Sequence, residues 1–189
     1  MKHKVFCIIG RTASGKSTIV NAVAKNLNLS VLKSYTTRAR RKNEIGDNCD
    51  HTFISSDEVD KYKNDMVAYT ERVGYCSFAT LHQLMNSNLY IINPSGYSDL
   101  VDVTKDNPNL ELISIWIECD KDALKNRSKS RANSDNWEQN YIKEEVEFST
   151  YYPNIDINKS YFVDNNGDIS DSIKNVENII YKEYGVTRL

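Results

Sequence analysis

The sequence predicts an α/β fold, a mainly parallel sheet with helices on both faces, carrying an inserted subdomain and a lid. Three observations predict it. Short apolar runs alternate with helix-patterned segments along the chain, which implies strands joined by helical crossovers. The first run, residues 5–9, is continuously apolar, as in a strand covered on both faces. That run leads through Gly10-Arg11-Thr12-Ala13-Ser14-Gly15-Lys16-Ser17, spaced G-x-x-x-x-G-K-S, directly into a helical pattern.

The elements follow in order. Residues 17–27 form a helix, with Ile19, Val20, Val23, Ala24 and Leu27 spaced for one apolar face. Residues 30–35 read as one strand, followed by a polar, Arg-rich stretch over 36–50. A short strand covers 51–54, and Ser55 with Glu58 makes a capping-box start to the next helix. Strands at 66–70 and 75–78 bracket Gly74. A short helix spans 80–85, a buried strand 89–92 and a helix 95–104. The strand at 112–117 is strongly apolar, and 120–130 is a helix carrying basic residues. A polar segment at 131–139 leads into an acidic helix through Phe148. The strand at 161–163 closes the sheet and an amphipathic helix covers 169–184. No internal repeat, low-complexity tract or linker interrupts this pattern.

Composition bounds the function classes. At 189 residues the chain fits one domain, and 40% hydrophobic with 26% charged residues is ordinary globular material. A net charge of −2 gives no electrostatic reason for a nucleic acid or anionic membrane partner. No apolar stretch approaches a membrane span, and since residues 1–4 lead straight into the first strand, no signal peptide is expected. Cys7, Cys49, Cys76 and Cys119 contain no C-x-x-C pair, and a reducing, cytoplasmic setting is expected. The histidines form no metal cluster. Trp116 and Trp137 are expected to pack rather than stack on a base.

The first motif is a phosphate-binding loop, which makes the fold class that of a P-loop NTPase. Its backbone N–H groups, at residues Gly10 to Thr18, would wrap the β-phosphate of ATP, and the helix N-terminus adds partial positive charge. Lys16 would reach the β/γ-phosphates and the Ser17 hydroxyl would ligate Mg²⁺. The second constellation is Ser34-x-Thr36-Thr37-Arg38-x-x-Arg41-x-x-Glu44. Guanidinium forks just beyond a strand end suit a bidentate grip on a phosphate.

The order of these two motifs resembles guanylate kinases, in which S-x-T-T-R-x-x-R-x-x-E follows the phosphate loop at about this distance. The resemblance continues through Gly46, residues 50–53, the segment from Gly74 to Thr80 and the basic helix with Arg127 and Arg131, and so covers nearly the whole chain. It implies one domain: a core at 1–35, 80–130 and 150–189, a nucleoside monophosphate-binding subdomain at about 36–79 and a lid at about 131–149. It further implies that Arg38 and Arg41 hold the acceptor phosphate and Ser34 the base, with Thr36, Phe78 and Thr80 in the same site. His51 replaces a phosphate-contacting tyrosine with another donor. Arg127 and Arg131, four apart, match lid arginines that approach ATP and the transferred group. The expected activity is ATP- and Mg²⁺-dependent phosphorylation of a nucleoside monophosphate, GMP or dGMP by default, by a monomer or homodimer.

Departures bear on the acceptor. The family's guanine-reading Glu falls at Ala68, with Glu71 three residues on as a substitute if the strand shifts. Its two strand-end aspartates fall at Ile91 and Asn93, so a magnesium-organising carboxylate and a guanine reader are both replaced. Losing one charged hydrogen bond to a base costs roughly 2–4 kcal/mol. Asn93 can donate and accept, and could therefore read an adenine, a pyrimidine or a modified base. The related ribose bisphosphate kinases keep the loop, lack that Glu and carry an Asn near this position, which makes a sugar-phosphate acceptor the alternative. A non-catalytic binding module is the third reading, against which the intact phosphate loop speaks.

Overall fold

The computed structural model describes residues 2–41, 44, 49–129, 137–152 and 156–186. Its elements run β1 (His3–Gly10), α1 (Lys16–Leu27), β2 (Val31–Leu32), β3 (Ser34–Thr36), β4 (His51–Phe53), a 3-10 helix (Ser56–Tyr62), β5 (Met66–Arg72) and β6 (Tyr75–Thr80). They continue α2 (Leu81–Met85), β7 (Leu89–Ile91), α3 (Pro94–Thr104), β8 (Leu110–Glu118), α4 (Lys121–Lys129), α5 (Trp137–Tyr151), a short 3-10 turn (Ile157–Lys159), β9 (Ser160–Asp164) and α6 (Ile169–Glu183).

The central sheet has five parallel strands in the order β2-β7-β1-β8-β9. As the middle strand, β1 is covered on both faces, which is why it is continuously apolar. Its alternate residues enter different cores. Val5, Cys7 and Ile9 join Leu84, Tyr97, Leu100 and Trp116 on one face. Phe6 and Ile8 join Ile19, Val20 and Val23 of α1 and Val176 and Ile180 of α6 on the other. Burying each such aliphatic side chain contributes about 1.5–3 kcal/mol, so this double core fixes the height at which β1 ends and the phosphate loop begins.

The run at 30–35 departs from the single strand its pattern predicts. It divides at Lys33: β2 pairs with β7 in the central sheet, while β3 enters a second, four-stranded sheet ordered β4-β3-β6-β5. The Gln83 side chain donates to the Lys33 carbonyl at 2.9 Å, satisfying there a backbone acceptor that a continuous ladder would use. In the second sheet β3 and β4 are parallel and β6 is antiparallel to both β3 and β5. A bulge in β5 inserts one residue between Val67 and Thr70, with Ala68 in the left-handed region at φ 55°.

Other boundaries follow local chemistry. Asn28 closes α1 in the left-handed conformation at φ 52°. The Ser55–Glu58 capping box forms, on a 3-10 helix, and Thr80 with Gln83 makes a second one at α2. Trp137 to Gln139 belong to the first turn of α5 rather than to a polar flap. The Trp137 ring is buried, and Trp116 packs on Phe148, Tyr152 and Phe162 with its indole N–H on Ser114. Among the described residues no helix is long and apolar enough to cross a membrane.

Candidate active site

The phosphate loop leaves β1 at Gly10 and enters α1 at Lys16, with Ala13 and Gly15 in the left-handed region at φ 69° and 93°. A Cβ at Gly10 would stand 2.7 Å from Ser14 Oγ and 2.8 Å from the Ile117 carbonyl. At Gly15 it would meet the Asn165 amide at 2.6 Å. Asn165, buried, donates to the Ser14 carbonyl at 2.8 Å and accepts from Ser172, so the loop after β9 braces the phosphate loop from behind. Lys16 Nζ folds back on the carbonyls of Gly10 and Arg11 at 2.6 and 2.8 Å. Thr18 is exposed in the first turn of α1.

Two contacts tie this loop to distant segments. The Ser17 hydroxyl donates to Asp50 Oδ2 at 2.6 Å, immediately before β4. On the other side Thr12 donates its backbone N–H to the Glu144 carboxylate at 3.0–3.1 Å, and its hydroxyl donates there as well. Arg11 turns away from the loop to α5, where it pairs with Glu145 at 3.1 Å and lies over Tyr141 and Phe148.

Ser34 and Thr36 share one face of the second sheet, where His51 of β4 pairs with Ser34. Ser34 Oγ and His51 Nδ1 are 2.8 Å apart, and the buried Tyr90 phenol also bonds Ser34. Burial, helped by the Arg38 charge, lowers the His51 pKa and favours its neutral form. Arg38 grips Glu44 with both terminal nitrogens at 2.8 and 2.5 Å and stacks on Phe53. That fork raises the Arg38 pKa and lowers the Glu44 pKa to about 2. Glu44 also accepts the Arg41 backbone N–H at 2.8 Å, while the Arg41 side chain is exposed.

Three acceptor assignments are corrected by strand geometry. Tyr35 pairs with Phe78, so Phe78 lies on the face opposite Ser34 and Thr36; its ring is fully buried against Tyr35 and Tyr62. Thr80 shares that side and is spent on capping α2 through Gln83. The face that Ser34 and Thr36 share also carries Ser77, 2.8 Å from the Thr36 hydroxyl, and Thr70. The bulge at Ala68 does shift β5, but it brings Thr70 onto this face. Glu71 pairs across from Cys76 on the other face, beside the Tyr69 phenol.

Asn93 caps the start of α3 and donates its amide to Ser95 Oγ at 2.6 Å and to the Glu147 carboxylate. Glu147 also accepts from Ser95 Oγ at 2.7 Å and pairs with Arg72 of β5 at 3.3 Å. Arg127, in the last turn of α4, donates to Cys119 Sγ at 3.3 Å. Arg131 and Gly46 lie outside the described residues. Sequence reasoning missed Asp50, Ser77, Thr70, Asn165 and the α5 carboxylates; only the acidic pattern of the α5 segment signalled the last.

The loop suits a nucleotide phosphate with its metal. Glycine at positions 10 and 15 lets the loop pass tightly against Ile117 and Asn165, where a Cβ would clash, and Ser14 Oγ is buried without a protein partner among the described residues. Among the described residues no three His, Cys, Asp or Glu side chains gather into an all-protein metal cage. Ser17 and Asp50 are hard oxygen groups, matching a magnesium ion that takes its other ligands from phosphates and water.

No family model matches the chain, and no curated protein matches it. Solved structures do. A guanylate kinase from Anaplasma phagocytophilum superposes with a TM-score of 0.65 at 19% identity, covering 96% of this chain and 87% of that one. A deoxyadenosine kinase from M. mycoides, solved with the products dCMP and a flexible dCDP, gives 0.51 at 16% identity, over 95% and 99% of the two chains. A five-stranded parallel sheet, a phosphate loop after its middle strand and these two neighbours together give the chain the fold of the P-loop nucleotide kinases.

Proposed function

We propose that the protein transfers the γ-phosphoryl group of ATP to a nucleoside monophosphate, with GMP or dGMP the first acceptors to test. The observation that carries this reading is the 2.6 Å contact between Ser17 and Asp50. It supports a donor loop set against the sheet that carries the polar groups of Ser34, Thr36 and His51, with the Arg38–Glu44 pair just beyond.

In this reading Lys16 leaves the Gly10 and Arg11 carbonyls for the β- and γ-phosphates, and Glu144 leaves the Thr12 N–H. Arg38, already aimed as a fork by Glu44, takes the acceptor phosphate with Arg41, and neutral His51 donates a further hydrogen bond. Arg127 and Arg131 bring positive charge to the equatorial oxygens of the transferring group. Magnesium, held at Ser17, would neutralise charge on the donor phosphates. No general base is required, because the acceptor phosphate is itself the nucleophile. Water exclusion falls to the lid segment and α5.

Asn93 and Ala68, in place of two guanine-reading carboxylates, favour as second reading a sugar bisphosphate acceptor on the same phosphate grip. An ATP-consumption panel separates the readings, with GMP, dGMP, AMP, dAMP, UMP, CMP, dTMP, deoxyadenosine and ribose 1,5-bisphosphate compared by kcat/KM. A nucleoside monophosphate is expected to win. A rate confined to the sugar bisphosphate or the nucleoside would overturn the first reading, and silence on all with ATP still bound would leave a binding module.

A further inference from the structure

We infer that Asp50 is the magnesium-organising carboxylate of this site, delivered by the second sheet instead of by a strand end of the central sheet. The inference rests on the phosphate-loop reading above and adds to it the residue that completes the metal's surroundings.

A magnesium ion on a nucleotide keeps near-ideal octahedral oxygen coordination and retains several waters. The hydroxyl of Ser17 is a neutral ligand. A fixed anionic acceptor nearby would orient the waters that such an ion retains, and partners outside the first coordination sphere typically change metal affinity 10- to 100-fold. The end of β7, beside the phosphate loop, supplies no carboxylate: it reads Ile91, Ile92, Asn93. Asn93 is itself drawn away to Ser95 and Glu147.

Asp50 fills that gap by geometry. Its Oδ2 lies 2.6 Å from Ser17 Oγ, the distance of a charge-assisted hydrogen bond between a hydroxyl and a carboxylate. A group that touches the hydroxyl expected to ligate the metal stands within reach of the metal's other ligands. The position is braced. The next residue, His51, pairs in register with Ser34 and meets its hydroxyl at 2.8 Å, and Ser34 continues the chain from the central sheet through Lys33. Asp50 is therefore fixed immediately before β4, and a metal held at Ser17 would couple the phosphate loop to the second sheet.

The test measures metal binding apart from turnover. Free Mn²⁺ is followed by electron paramagnetic resonance while it titrates the protein with ATP held saturating. Wild type, Asp50→Asn, Asp50→Glu and Ser17→Ala are compared, with metal-free ATP affinity and thermal melting measured in parallel. Asp50→Asn keeps a hydrogen-bond acceptor for Ser17 and removes only the charge. It is expected to weaken Mn²⁺ in the ternary complex at least 10-fold without weakening metal-free ATP binding, with Asp50→Glu recovering part of the loss. Unchanged Mn²⁺ affinity in a folded, ATP-binding Asp50→Asn protein overturns the inference alone. Tighter Mn²⁺ binding also overturns it, by making Asp50 a competitor that holds Ser17 from the metal. Absence of ATP binding by the wild type overturns the functional reading itself, and this inference with it.

Discussion

Ala13 sits in the phosphate loop at φ 69°, buried, in a conformation that costs an L-residue about 1–2 kcal/mol. Glycine removes that cost and returns about 0.5–1 kcal/mol through its freer unfolded chain. Ala13→Gly is therefore expected to stabilise the protein by about 0.5–1 kcal/mol in urea unfolding; a loss of stability would contradict the strain assigned to this turn. His51 makes a different statement, about pH. Its folded pKa lies below the unfolded value, so the neutral ring is favoured in the folded state. The stability it confers is complete above about pH 6.5 and is lost as pH falls from there toward the lower folded pKa. His51→Asn should flatten the stability profile in that window, and an unchanged slope would place the titration elsewhere. Glu44 acts in a separate, more acidic window. With its pKa lowered to about 2 by the Arg38 fork, its contribution is present above about pH 4.5 and disappears toward pH 2.

Helix α5 is the element that ties the site together. Glu144 holds the phosphate loop at Thr12, Glu145 holds Arg11, and Glu147 reaches Asn93 and Arg72 of the second sheet. A carboxylate seated on a phosphate-binding loop repels the ligand that must replace it, by an amount screened at this exposed position. Glu144→Gln should tighten ATP binding several-fold by calorimetry, and weaker binding would show that Glu144 helps the nucleotide to dock. None of these contacts was legible from sequence, because each joins residues more than 50 positions apart. The phosphate loop was legible because its defining residues, Gly10, Gly15, Lys16 and Ser17, lie within one contiguous stretch of eight residues. The division of residues 30–35 was hidden because an unbroken strand pattern is cut by a side chain from Gln83. The positions of Phe78 and Glu71 turned on strand parity, and a single inserted residue at Ala68 reassigns faces along β5.

Across the molecule, alternating strands and helices around a continuously apolar first strand sufficed for the architecture, since a parallel sheet must bury both faces. The acceptor's identity was not legible, because it depends on which of a few polar groups converge. The proposed division of labour is testable through Arg38: Arg38→Ala should raise the acceptor KM and lower kcat while leaving ATP affinity within about two-fold. A fall in ATP affinity instead would make Arg38 a donor-side residue. The most direct measurement follows labelled γ-phosphate from ATP, with magnesium and the best acceptor, in wild type and in Lys16→Met. Label is expected in the acceptor's diphosphate with wild type, and in no product with Lys16→Met of unchanged circular dichroism. Undiminished transfer by that variant, or label released only as inorganic phosphate by the wild type, would contradict phosphoryl transfer at this loop.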